Sequence, residues 1–279
     1  MRIVTILYWL LPTTTAFCSN RYSSFRYDKV LFSTVDADTA APSEEDLKEL
    51  KSALVFVCKK QPRASMQEVK DAIQELEAVG EELGIGQASS SSGLLAGEWE
   101  LLYSPEDETR SSPFFWAFQK AFPDNADKIF QITDAIPAPI KEVGPAFQSI
   151  TYSPEIPASG SFISKVKVST LGGFATSTMT TKAAIIGVDG VDGIRLKIET
   201  TKPEGWTLYD KLFGPFGSVI SQNAPAFPSG EALERVKPGS SEVVLRTTYC
   251  DEGMRISRND ESADVFVWKR NKFLSEDMI

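Results

Sequence analysis

The 279-residue chain contains no histidine. That absence removes the Ser-His-Asp triad, the Cys-His pair, the His-Glu-x-x-His zinc site and a proximal haem histidine. Cysteine is scarce: Cys18, Cys58 and Cys250 are far apart, which is not the disulfide framework of a small secreted scaffold. No Asn-x-Ser/Thr glycosylation site with a permitted middle residue occurs either. Positive charge is in deficit, with 29 Lys and Arg against 38 Asp and Glu and a net charge of −9. A nucleic-acid partner would call for a basic face or stripe, so none is expected. Ile3 to Leu11 is apolar but only nine residues long, whereas a membrane-crossing helix needs about 20.

What is present begins with a 42% hydrophobic and 24% charged composition, which is enough to build a packed core. Arg2, the apolar run, Pro12 and the small Ala16 before Phe17 predict a signal peptide over residues 1–16. Residues 17–33 are Ser-rich, basic and poor in acid, the composition of an organelle transit peptide. In tandem the two resemble the bipartite presequences of algae with complex plastids, with ordinary secretion as the alternative. Residues 1–33 hold four basic residues and one acidic, so without them the net charge falls from −9 to −12. Residues 34–42 read as a linker.

Residues 43–93 predict two amphipathic helices and a Ser-rich hinge. The first starts at Ser43, with Leu47, Leu50, Leu54 and Val57 on one face. The second starts at Ser65, where Ser65-Met66-Gln67-Glu68 fits a capping box. Its Val69, Ala72, Ile73, Leu76 and Val79 recur at helical spacing. From Leu94 the period becomes two, and residues 94–272 predict eight or nine short antiparallel strands before a tail at 273–279. Trp99, Leu101 and Tyr103 share one face, as do Ile194, Leu196 and Ile198, and Val243, Leu245 and Tyr249. Further candidate strands fall at 129–134, 146–152, 174–187 and 253–258. The Gly187–Gly193 segment reads as a tight turn, so Asp189 and Asp192 are not expected to hold a metal. Strands in this number without intervening helices predict a closed barrel or sandwich. The charges of Lys165, Lys167, Arg195, Lys197 and Glu199 are too many for a narrow lumen. They favour a water-facing barrel that is apolar inside over a membrane-spanning one.

Two aromatic segments interrupt the strands. Ser112-Pro113 opens a short helix, with Ser as cap and Pro at the first helical position, carrying Phe114, Phe115, Trp116, Phe118 and Phe122, and the stretch 203–240 holds Trp206. They read either as a lid or lipid-surface wedge, or as a plug that completes the core.

The passage Leu95-Ala96-Gly97-Glu98-Trp99-Glu100-Leu101-Leu102-Tyr103-Ser104 resembles the opening strand of the plastid lipid-associated proteins, or fibrillins. Residues Ala72 to Glu77, Thr109 to Trp116, and Tyr249 to Arg258 followed by Val265 to Val267 are similar to further motifs of that family. The resemblance covers roughly Leu47 to Arg270. It implies a mainly β, lipocalin-like antiparallel barrel preceded by the two amphipathic helices. It also implies association with plastoglobules, thylakoids or stroma, and binding of carotenoids, quinones or acyl lipids. In such barrels a first-strand Trp is often covered by an Arg, which implies Trp99 stacked on Arg255 or Arg258. Cys250 stands where the family more often has Leu.

Three functions follow from these readings. The first is a non-catalytic binder of a hydrophobic small molecule or lipid, in peripheral contact with a plastid membrane or plastoglobule. Its candidate ligand contacts are Trp99, Tyr103, Phe114, Phe115, Trp116, Phe118, Trp206, Arg255 and Arg258. The second is a structural or assembly factor docking through the Phe-rich helix without a ligand. The third is an enzyme with a carboxylate or Lys base, for which Asp251 and Glu252 are the nearest acidic pair, although strand neighbours point to opposite faces. No cofactor is expected, because Gly84-Ile85-Gly86 lacks the third glycine of a nucleotide loop and follows a helix.

Overall fold

The structure is a computed structural model. It describes residues 41–271, without 88, 91–92, 127, 129–140, 154, 157, 171–174, 206–224 and 261–263. The presequence, the candidate strand at 129–134 and Trp206 lie outside the described residues.

The helices form where local sequence specifies them. Helix α1 (Glu44–Cys58) starts at Ser43, whose hydroxyl accepts from the Asp46 amide while the Asp46 carboxylate accepts in return. Helix α2 (Met66–Leu83) repeats the device with Ser65 and Glu68 and ends at Gly84, in the left-handed region at φ 67°. Helix α3 (Pro113–Ala121) has Pro at its first turn, as the Ser-Pro pair predicts. The Ser112 hydroxyl does not cap it, however, and bonds to Thr181 Oγ1 at 3.3 Å. Helix α4 spans Ser229–Val236.

Eight strands follow in order: β1 (Gly97–Tyr103), β2 (Lys141–Tyr152), β3 (Gly160–Thr170), β4 (Ala175–Asp189), β5 (Gly193–Glu204), β6 (Glu242–Cys250), β7 (Met254–Asn259) and β8 (Val265–Arg270). Each pairs antiparallel with its sequence neighbour, and β8 returns to β1 with Trp99 opposite Arg270 and Leu101 opposite Trp268. The sheet closes in a ring, so each of the eight strands is paired on both sides over at least part of its length.

Alternation splits the buried residues into two layers. The inward layer includes Trp99, Ile150, Phe162, Leu196, Leu245, Phe266 and Trp268. The outward residues Met254, Ile256, Val265 and Val267 are instead covered by Leu47 and Leu54 of α1 and Val69, Ile73 and Leu76 of α2. On β5 the expected pattern holds, with Ile194, Leu196 and Ile198 buried and Arg195, Lys197 and Glu199 exposed.

Two tyrosines depart from simple alternation. Between Leu101 and Tyr103, and again between Thr247 and Tyr249, one extra residue enters β1 and β6 as a bulge. A bulge resets the side-chain phase. Tyr103 and Tyr249 therefore leave the face of Trp99 and Val243 and join the layer under the helices.

Helix α3 lies at one end of the ring. Trp116, Ala117 and Ala121 belong to the inward core, and the Trp116 ring is 5.8 Å from that of Phe266. Its indole N–H is satisfied by the Arg110 carbonyl at 2.6 Å. Trp116 thus fills the ring end as a plug. Phe114, Phe118 and Phe122 are partly buried against the same core.

Candidate functional site

The inward face converges on Arg255 of β7. Its guanidinium carbon lies 5.1 Å from the Trp99 ring centre and 4.7 Å from that of Trp268. Each indole is fixed from elsewhere: Trp99 Nε1 donates to the Leu95 carbonyl at 3.0 Å, and Trp268 Nε1 to Ser257 Oγ at 2.9 Å. Arg255 Nη2 donates to the Gln148 side-chain oxygen, and Gln148 Nε2 donates to the Ser111 carbonyl at 2.9 Å. The side chain is completely buried, and burial pulls its pKa down to about 9, which leaves it a cation at neutral pH. Burial also pushes the neighbouring Cys250 thiol up to about 11, so it is no nucleophile near neutrality.

Arg270 closes the opposite end of the ring from α3. Its guanidinium carbon stands 4.3 Å from the Trp99 ring centre. The same group donates to the carbonyls of Leu94, Ala96 and Glu252, tying the start of β1 to the β6–β7 turn.

Near α3 the inward face opens into a cavity of about 190 Å³, lined by Arg110, Phe115, Val166, Val168, Met179 and Lys141 among others. Arg110 lies 5.3 Å from the half-buried Phe115 ring. Lys141 binds Asp107 at 2.7 Å. Burial alone would raise the Asp107 pKa, but the hydrogen bonds from Lys141 and Thr109 outweigh it and hold the carboxyl below its ordinary value. Glu108 beside it is raised, chiefly by burial.

The predicted contacts therefore separate into groups. Trp99 and Arg255 meet, as the resemblance implies. Trp116 sits in the plug, with Phe114 and Phe118 packed on it, and Phe115 lines the cavity. Tyr103 stands away from Arg255, buried under the helices with Arg63 5.3 Å from its ring. Arg258 faces outward, and its Nη2 reaches both Glu77 carboxylate oxygens at 2.8 Å. It does not stack on Trp99, because β7 positions three apart lie on opposite faces.

Sequence reasoning missed Gln148, Trp268 and Arg270. Trp268 had a visible signal, being in phase with Phe266 on the last strand. Gln148 is a lone polar residue between the inward Ala146 and Ile150, a pattern that does not reveal its partner. The acidic pair proves structural on one side. Asp251 accepts from Lys51, Tyr249 and the Gly253 and Met254 amides. Burial would raise its pKa, but these bonds win and lower it, leaving a locked carboxylate and not a base.

A search of curated proteins finds no match to the chain. The PAP_fibrillin family model matches residues 49–269. It takes in α2, α3, α4, and β1 to β7 whole, with all but the last residue of β8. The chain therefore belongs to the PAP/fibrillin family of plastid lipid-associated proteins.

Proposed function

We propose that this protein is a non-catalytic, lipocalin-like container that binds or organises a hydrophobic metabolite inside a plastid, reached through the bipartite presequence over residues 1–33. Family membership supports association with plastid lipid. The observation that carries the binding reading is the apolar cavity between α3 and the inward positions Val166, Val168 and Met179. At about 190 Å³ it is smaller than the roughly 300–1,000 Å³ of pockets that swallow a whole drug-sized ligand. It fits the terminus of a chain or a ring end group. Affinity would come from apolar area removed from water, about 25 cal/mol per Å² before ordering costs.

The burial of Trp116 takes one of the three rings of Phe114-Phe115-Trp116 out of any docking surface, which favours containment over attachment through that helix. Solvent extraction and mass spectrometry of the natively purified protein tests the proposal. A stoichiometric pigment, quinone or acyl lipid is expected, and a preparation free of all three would sink it.

A further inference from the structure

The inward face carries a charge that no buried carboxylate balances among the described residues. Arg255 is fully buried, and among the described residues no Asp or Glu is buried at all. Gln148 occupies Nη2, but Nε and Nη1 find no acceptor. Three buried hydroxyls, of Tyr152, Ser164 and Thr247, are likewise without partners. They come from β2, β3 and β6, yet share one side of the sheet with Arg255. Tyr152 is in phase with Gln148 and Ile150, Ser164 with Phe162 and Val166, and Thr247 with Val243 and Leu245.

Native structures leave few buried donors unmet, and an uncompensated buried cation is strongly unfavourable. The indole faces of Trp99 and Trp268 attract the cation. They offer no acceptor to N–H groups that point outward in the guanidinium plane. The surrounding wall of Ile150, Phe162, Leu245 and Phe266 is apolar. One cation with donor hydroxyls in such a wall is the complement of a single negative charge on an apolar body. A phosphate, at about −1.5 to −2 near neutrality, would be left under-neutralised. Ser164 and Val166 are consecutive inward positions of β3, so the Ser164 hydroxyl is one inward position away from the cavity beside α3.

We infer that the lumen takes an ionised long-chain carboxylic acid, its carboxylate on Arg255 and the orphan hydroxyls and its chain along the apolar wall. This rests on the container reading and narrows it, from neutral carotenoids and quinones to an acyl anion. Calorimetric titration of the delipidated 279-residue chain with palmitate, hexadecanol and acetate tests it. Palmitate is expected to bind about tenfold or more tightly than hexadecanol, with acetate unable to compete. Arg255→Met should bring the acid-to-alcohol ratio close to one. Should that variant fail to fold, Tyr152→Phe and Thr247→Val carry the test, each weakening palmitate about threefold or more. Equal affinity for acid and alcohol, or no effect of any of these substitutions, overturns the inference and leaves the container reading standing. Acetate competing as well as palmitate overturns the acyl assignment in favour of a bare anion site. Binding of neither amphipath overturns both readings.

Discussion

Arg255 and Arg258 stand three residues apart on β7 and have opposite electrostatic settings. Arg258 lies on the helix-covered side, part-exposed, with both Glu77 oxygens on its Nη2 and Thr248 on its Nε. Arg255 is fully enclosed, with two aromatic faces and one amide for company. The same contrast runs around the ring. Outward charges are paired near water, as in Lys269–Glu100 and Arg246 with Asp189, Asp192 and Asp260. Such pairs at a surface are worth little individually, and they tie the outside together. The inward polar groups are few, and several are unsatisfied. The outward groups tie the fold together, whereas the inward ones are where the proposed ligand would bind.

Five substitutions break or sharpen this contrast, in decreasing order of effect. Trp116→Ala strikes the inward layer where it is purely structural and should cost about 3–5 kcal/mol, read by denaturant unfolding. A loss below about 1 kcal/mol would show that α3 is not a plug. Gly86→Ala strikes the outward layer. Gly86 has φ 88°, and a Cβ there would meet the Tyr249 ring at 2.4 Å. A loss of about 2 kcal/mol is expected, and thermal unfolding checks it. Replacing Asp251 by Asn should cost about 1 kcal/mol at neutral pH, modest because the pair with Lys51 is partly open to water.

The pH dependence of that difference has a definite sign. The folded-state pKa of Asp251 is depressed. Its stabilisation is therefore complete above the unfolded value of about 3.9 and is lost as pH falls through the lower folded value. Wild-type and variant unfolding curves should converge in acid, and a gap that widened on acidification would refute the assignment. The smallest effect is the sharpest comparison. Arg258→Met should destabilise by about 1 kcal/mol, because it strands Glu77. Arg255→Met in the ligand-free protein should be neutral or slightly stabilising, because it removes a buried charge that has no counter-ion among the described residues. Equal losses at the two positions, measured side by side in urea, would erase the distinction between the faces.

Sequence made the local devices legible. The capping boxes at Ser43 and Ser65, the Ser112-Pro113 helix start and the phase of Ile194, Leu196 and Ile198 depend only on neighbours in the chain. Tyr103 and Tyr249 were misplaced because a bulge is decided by pairing with β8 and β7, not by the residues around it. Choosing between Arg255 and Arg258 needed more than parity. β7 is buried on both sides, so alternation says that the two arginines diverge without saying which goes in. Gln148 was out of reach for a similar reason, since its partner Arg255 lies 107 positions along the chain.

The pairing of β1 with β8 has a consequence for timing. Trp99 and Arg270 are neighbours in space but belong to the first and last strands. As the chain emerges N-terminus first during synthesis, seven strands can zip to their predecessors while the lumen is still an open gutter. Only the arrival of Val265 to Arg270 turns that gutter into an enclosure, and such long-range closure is a slow step. Under the proposed container function, enclosure of a ligand would wait for that last strand, and a chain cut before Val265 would keep its helices and most of its sheet but have no inside.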